Sequence, residues 1–133
     1  MTPGVISLST NRTMEFVDIT SLIQKAVSQS GATNGICHIY NPHTTAGLTI
    51  NEGADPAVQD DILAAFKKIV PFDHPFSHLE GNSPAHILTT MTGSSVSVFV
   101  ENGSLKLGTW QRIFFTEYDG PRNRKIWWKI IGD

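Results

Sequence analysis

Alternating apolar and polar residues predict four strands in the first half of the chain. Residues 5–8 and 14–17 indicate the two arms of an opening hairpin, and residues 9–12 indicate its turn. The same alternation continues over 34–40 and 48–52 and predicts two more strands, separated by a short polar stretch.

Two other segments place apolar residues at helical spacing. The first helix is predicted to begin at Asp18 or Thr20 and to end at Ser30-Gly31. Its apolar stripe is formed by Ile19, Leu22, Ile23, Ala26 and Val27. The second helix is predicted to begin at Asp55-Pro56, where the carboxylate can accept from first-turn amides, and to end near Lys67-Lys68. Its stripe is formed by Val58, Ile62, Ala65, Phe66 and Ile69.

No periodicity is visible between Pro71 and Pro84, and this stretch predicts a loop. It is longer than most connections in a compact domain, and loops of that length are usually functional or mobile. It carries His74, His78 and Glu80 and leads directly to His86.

After this loop the sequence predicts only strands, over residues 85–91, 95–100, 112–118 and 125–131. Turn residues separate them at Thr92-Gly93, Asn102-Gly103 and Asp119-Gly120-Pro121.

Composition limits the possible functions. A chain of 133 residues predicts one domain over 1–133, and a net charge of -2 with a pI near 6.2 argues against nucleic acid as a partner. No apolar stretch approaches the roughly 18 residues of a membrane span, and the N-terminus has no basic segment followed by an apolar one. The one cysteine, Cys37, excludes an internal disulfide. We expect a soluble cytoplasmic protein without a membrane partner.

The polar stretch between the second pair of strands contains the first candidate residues. His43, Thr44 and Thr45 occupy a junction between strands, where a rigid scaffold presents side chains to a ligand. Alternatively, His43 is an ordinary turn histidine and the threonines satisfy nearby backbone groups. Glu52 ends the following strand and could orient a histidine or act as a general base; an exposed strand end is the alternative.

Histidines form the strongest candidate cluster. His43, His78 and His86, with Glu80 nearby, could share one site if the long loop folds back. Three imidazoles suit zinc or a similar ion with one position left open. The spacing matches no short-range metal motif, so three unrelated surface histidines remain the alternative. His38 is expected in the core, and His74 is given no role.

Two other segments carry recognisable chemistry. Arg122 and Arg124, two residues apart on one strand face, could form a fork for phosphate or carboxylate. Solubilising charge on an edge strand is the alternative. In 108–111, Trp110 could line a pocket beside the amide of Gln111, although a core tryptophan is commoner.

Four stretches together resemble the YjbQ family. They run over most of the chain in the family's order and spacing, and the last is the most specific. They are His43-Thr44-Thr45-Ala46-Gly47 with Asn51-Glu52, then His78-x-Glu80-Gly81, then Ala85-His86-Ile87, and Gly103-x-Leu105-x-Leu107-Gly108-Thr109-Trp110-Gln111.

The resemblance implies an α+β fold of two packed, mostly antiparallel β layers with two main helices, assembled as a homotrimer with a polar pocket near a subunit interface. Family members are similar to proteins credited with weak thiamine phosphate synthase activity. Carried over to this chain, the resemblance implies that His43, His78 and His86 are pocket histidines that hold a metal. It also implies that Gln111 is a pocket amide.

The sequence therefore predicts an enzyme acting on a small phosphorylated metabolite, most concretely a thiamine phosphate synthase-like transferase. Arg122 and Arg124, with Thr44 and Thr45, would hold the phosphate, a divalent ion such as zinc or magnesium would neutralise charge on the leaving group, and a histidine or Glu52 would move the proton. A trimeric metal- or ligand-binding protein without turnover and a metal-assisted hydrolase remain alternatives.

Overall fold

A computed structural model describes residues 3–132, which form three helices and eight strands. The predicted domain 1–133 also includes Met1, Thr2 and Asp133, which lie outside the described residues. The helices are α1 (Thr20–Ser30), α2 (Pro56–Ile69) and α3 (Ser83–Thr92). The strands are β1 (Gly4–Ser9), β2 (Glu15–Asp18), β3 (Gly35–Tyr40), β4 (Ala46–Glu52), β5 (Ser95–Glu101), β6 (Ser104–Leu105), β7 (Gln111–Glu117) and β8 (Asn123–Gly132).

The strands form two antiparallel sheets that pack on each other. The larger has the order β1-β8-β3-β5-β6 and the smaller the order β2-β7-β4. Alternate residues of both sheets meet in one core, to which α1 adds Ile23 and Val27. Fully buried side chains from the two sheets include Cys37, Ile39, Ala46, Leu48, Ile113, Phe115 and Ile126. The predicted α+β fold of two antiparallel layers is confirmed.

The predicted opening hairpin is wrong. β1 pairs with β8 in the larger sheet, whereas β2 pairs with β7 in the smaller one. The segment between them crosses from sheet to sheet, and the carboxylate of Glu15 accepts hydrogen bonds from the N–H groups of Asn11 and Arg12 there. Alternation of side chains reveals a strand but not its partner.

The predicted strand over 85–91 is instead helix α3. Pro84 lies in its first turn, and the buried residues Ala85, Leu88 and Thr89 recur at helical spacing. Thr89 donates its hydroxyl to the Ala85 carbonyl at 2.8 Å, and Thr92 to that of Leu88 at 2.8 Å. Thr89 and Thr92 therefore satisfy their hydroxyls within the helix.

Helices α1 and α2 follow the predicted boundaries, but they are buried differently. Gly31, at φ 74°, ends α1, and the Asp55 carboxylate caps α2 by accepting from the Ala57 N–H at 3.0 Å. α1 buries its stripe except for Leu22, which is exposed. α2 has no fully buried residue, and Ile69 at its end is 61% exposed. None of the helices within residues 3–132 combines the length and apolar character needed to cross a membrane.

Candidate functional site

A cavity of about 420 Å³ opens at the end of the sandwich where β4 begins, β7 ends and β8 begins. Three distant segments, 42–45, 78–86 and 122–124, meet there. The lining residues are Pro42, His43, Thr44, Thr45, His78, Glu80, Asn82, His86, Arg122 and Arg124. The folding back of the long loop, on which the predicted histidine cluster depended, therefore takes place, and we call this cavity the histidine pocket.

His43 is held in a fixed orientation by its neighbours. Asn41, fully buried before it, accepts from the His43 N–H at 3.0 Å and donates to the carbonyl of Ala46, which closes the turn. The Nε2 of His43 accepts a hydrogen bond from the Lys125 N–H at 3.0 Å, so the neutral ring carries its proton on Nδ1. Burial, and then the positive charge of Arg124, lower the pKa of His43 below its ordinary 6.5.

His78, from the loop, and His86, from α3, meet in the same pocket. Their rings lie edge to face with centroids 5.3 Å apart. Glu80 approaches them, with 3.9 Å between its Oε2 and His78 Nε2, but its side chain is largely exposed. The two imidazoles are therefore in contact with each other where they line the histidine pocket.

The three histidines share a pocket but do not fit the predicted metal centre. In residues 3–132, no three His, Cys, Asp or Glu side chains are arranged to hold a metal ion. His43 gives a chemical reason. A metal bound at its Nδ1 would move the ring proton to Nε2, where it would face the Lys125 N–H. The ligand set His43, His78 and His86 is therefore not formed by this geometry.

Under the pocket lies a buried ion pair. Arg124 donates to both carboxylate oxygens of Glu117 and to the Thr45 hydroxyl at 2.9 Å. Glu117 also accepts from the Thr10 hydroxyl at 2.7 Å and from the backbone N–H groups that follow it. Burial alone would raise the pKa of Glu117, but these donors outweigh it and the pKa lies below its ordinary value.

The two arginines of the predicted fork both line the histidine pocket, but Arg122 precedes strand β8 and so does not share a strand face with Arg124. Arg124 is buried, and its strand, β8, lies between β1 and β3, so the edge-strand alternative is wrong. Arg122 precedes the strand and donates to the Asp119 carbonyl at 2.8 Å and carboxylate at 2.9 Å. Each arginine therefore already has its own carboxylate.

Asp119 also positions Asn82 in the histidine pocket. Its carboxylate accepts from the Asn82 Nδ2 at 3.0 Å, while the Oδ1 of Asn82 is buried and has no hydrogen-bond partner among residues 3–132. A buried acceptor left unpaired is costly, and a ligand that donates a hydrogen bond would remove that cost.

Glu52 and Gln111, predicted as catalytic, lie at the opposite end of the smaller sheet. They face each other across β4 and β7, and the seven residues of β4 put them about 20 Å from the start of that strand. Gln111 Oε1 accepts from the Gly108 N–H at 2.9 Å and closes a local turn. Trp110 beside it is 64% exposed, so it is not a core residue. Within one chain neither Glu52 nor Gln111 reaches the histidine pocket.

The other two histidines lie away from the pocket. His38 projects from β3, where its ring bonds to the Ser97 hydroxyl at 2.8 Å, and not into the core as expected. His74 is exposed in the long loop and its ring contacts Phe76. His38 and His74 are therefore internal controls for the three histidines of the pocket.

Sequence reasoning missed Asn41, Glu117 and Asn82. Asn41-Pro42 carried a usable signal, because asparagine before proline favours a turn. Glu117 carried none, since an acidic residue at the end of an apolar strand is usually exposed.

Known proteins are similar to this chain over nearly its whole length. A family model described as UPF0047 protein YjbQ-like matches residues 4–133. A UPF0047 protein of Methanocaldococcus jannaschii is 51% identical, covering 95% of this chain and 91% of that protein, and YugU of Bacillus subtilis is 45% identical, covering 96% and 97%. The crystal structure of an uncharacterised YjbQ/UPF0047 protein of Clostridium acetobutylicum superposes with a TM-score of 0.93 at 53% identity, covering 96% and 98%.

Proposed function

The chain belongs to the UPF0047 protein YjbQ-like family, and we propose that it is an enzyme for a small phosphorylated metabolite, with a weak or secondary thiamine phosphate synthase-like transferase activity. The observation that carries this proposal is the histidine pocket, which combines three imidazoles, two guanidinium groups and two threonine hydroxyls in about 420 Å³. Such a set of donors suits a phosphate group.

Each side chain has a distinct part in the proposed site. His43 offers its Nδ1–H to a phosphate oxygen, since its Nε2 is already engaged. Arg122 and Arg124 contribute guanidinium donors, although each is paired with a carboxylate, and Thr44 and Thr45 also line the pocket. His78 and His86 are placed to move a proton as the diphosphate leaves. The unpaired Oδ1 of Asn82 suits an N–H or O–H of the organic part of the substrate.

The proposal contains no metal ion, because the histidines do not form a metal centre. A divalent ion carried in by the diphosphate substrate is part of the substrate and is supplied in the assay.

The test is product formation from a pyrimidine diphosphate and a thiazole phosphate. His78→Ala and His86→Ala, made singly, are each expected to lower turnover at least about 100-fold, the scale of lost general acid–base catalysis. His43→Ala is expected to lower turnover through the loss of its hydrogen bond to the phosphate. His74→Ala, in the same loop but outside the pocket, is the matched control and should keep full turnover. Product formation unchanged in all three pocket variants would contradict the proposal. Ligand binding by the wild type without any product would support the alternative of a binding protein without turnover.

The homotrimer is also a proposal. It is supported by apolar residues that one chain leaves uncovered: the stripe of α2 has no fully buried residue, and the outer face of the larger sheet exposes Val5, Phe99 and Ile131. Sedimentation equilibrium should give three times the mass of the 14.6 kDa chain, and a monomer at working concentration would contradict the assembly.

The predicted catalytic roles of Glu52 and Gln111 require this assembly, since only a neighbouring subunit can bring them to a histidine pocket. If both ends contribute to one shared site, His43→Ala and Gln111→Ala subunits, each inactive alone, should regain activity when mixed and reassembled. Unchanged turnover in Gln111→Ala would remove Gln111 from the site.

We also propose a cytoplasmic setting. A single cysteine forms no internal disulfide, which fits a reducing compartment. The Cys37 side chain is also fully buried, and burial raises the pKa of its thiol to about 11, which fits an unreactive thiol.

A further inference from the structure

We propose that Lys125 and the cavity beside it form a second anion-binding subsite, continuous with the histidine pocket, so that a ligand with an acidic group at each end can span both. This inference rests on the proposed function in one respect, since it takes a phosphorylated metabolite as the ligand.

The second cavity lies next to the first and has a volume of about 590 Å³. His43 and Arg124 line both cavities, so a ligand passing along them can occupy the two together. The second cavity is otherwise formed by β1 and β8, where Ser7 pairs with Lys125 and Ser9 with Asn123. Directly opposed residues of antiparallel strands project from the same sheet face, so these four side chains are neighbours.

The lining of the second cavity offers donors and positive charge, with no carboxylate among its residues. Ser9 donates to the Asn123 Oδ1 at 2.9 Å, which leaves the Nδ2 of that amide to face a ligand. The Ser7 hydroxyl and the Lys125 ammonium add two further donor groups. An acidic group is the ligand that this lining suits.

Three cations surround the two cavities, and they differ in what they already bind. Arg124 is paired with Glu117, and Arg122 with Asp119. Lys125 makes no ion pair in the described part of the chain, residues 3–132. The positive charge of Lys125 is therefore the one that intramolecular carboxylates do not compensate, and a ligand's negative charge gains most there.

His43 joins the two subsites. Its Nε2 bonds to the N–H of Lys125 itself, so the backbone of the residue that carries the free charge also orients the ring. Consecutive strand residues project to opposite faces, so the side chains of Arg124 and Lys125 leave opposite faces of β8. A phosphate on the Nδ1–H of His43 in one cavity and an acidic group on Lys125 in the other fit one elongated ligand.

The experiment compares ligands with one and two acidic ends. Alkanediol bisphosphates with spacers of two to six carbons, and the matching alkyl monophosphates, are titrated by calorimetry into the full chain. At least one bisphosphate should bind tenfold or more tightly than its monophosphate, a gain on the scale of one charge-assisted hydrogen bond. Lys125→Gln should abolish that gain and change monophosphate binding less than about twofold. The matched control is Lys129→Gln, on the same strand and face, and it should retain the gain.

The inference is overturned if no spacer gives a gain, if the gain survives in Lys125→Gln, or if Lys129→Gln loses it equally. It fails separately from the proposed function, which is measured by product formation. If the gain depends on Lys125 but no product forms, the second subsite is supported and the transferase activity is contradicted. If turnover is unaffected in Lys125→Gln and no bisphosphate gives a gain, the transferase activity is supported and the subsite is contradicted.

Discussion

The two ends of strand β7 carry ion pairs of the same chemistry in different surroundings. At its end, Glu117 and Arg124 have side chains 0% and 4% exposed, beneath the histidine pocket. At its beginning, Arg112 pairs with Asp18 at 2.7 Å, with side chains 41% and 35% exposed. A buried pair costs several kcal/mol of desolvation per ion, which an exposed pair avoids. The chain therefore places its costly charges under the histidine pocket, where they hold Thr45 and the start of β4 in place.

The difference between the buried and the exposed ion pair is tested most directly by removing one charge from each pair. Glu117→Gln leaves Arg124 buried and uncompensated, and we expect a loss of about 3–5 kcal/mol in the free energy of unfolding. Arg112→Gln, the control at the other end of β7, should lose less than about 1 kcal/mol. Urea unfolding followed by circular dichroism measures both. Equal losses in the two variants would show that burial does not distinguish the two pairs.

A second prediction concerns acid. Because the pKa of Glu117 in the folded chain lies below its ordinary 4.5, the unfolded chain binds the proton first as the pH falls. The stability that this carboxylate contributes is complete above about pH 4.5 and is lost as the pH falls through the folded pKa. The Tm of the wild type should therefore decline more steeply between pH 6 and pH 3.5 than that of Glu117→Gln. Parallel declines would contradict the assignment.

A third, smaller effect concerns His43. Its pKa should lie below 6.5, because burial and Arg124 disfavour the imidazolium form. As the folded pKa is depressed, its contribution to stability is present above pH 6.5 and is lost as the pH falls. Long-range ¹H–¹⁵N NMR should show a neutral ring protonated at Nδ1, and zinc should leave this signal in place. A ring protonated at Nε2, or one that binds zinc, would restore the predicted metal centre.

Much of the fold followed from local signals. Asp55-Pro56 predicted the start of α2, and Gly31 the end of α1, because cap chemistry involves only a few neighbouring residues. The opening hairpin was predicted wrongly, and helix α3 was missed, for different reasons. Whether 5–8 pairs with its neighbour or with β8 depends on contacts far along the chain. Helix α3 was missed although its threonine hydroxyls bond to carbonyls only four residues back, because threonine suits both a strand and such a helix.

In the candidate site, too, local signals were predictable from the sequence and long-range partners were not. His43, His78 and His86 were recognised by residue type and by the family motifs, and the structure gathers them into one pocket. Their chemistry was harder to predict, because the Lys125 N–H that occupies His43 Nε2 comes from a strand 82 residues away. The role of Arg124 likewise depends on a carboxylate at the end of another strand. Long-range partners of this kind leave no local pattern in the sequence.

The chain contains five histidines, three in the pocket and two outside it, so one titration tests the central claim with its own controls. The histidine ring resonances are followed by NMR while an alkyl monophosphate is added. We predict saturable shifts at His43, His78 and His86, with His38 and His74 unchanged. Shifts at His38 and His74 alone, equal shifts at all five, or no shift at any of them would contradict a phosphate-binding histidine pocket.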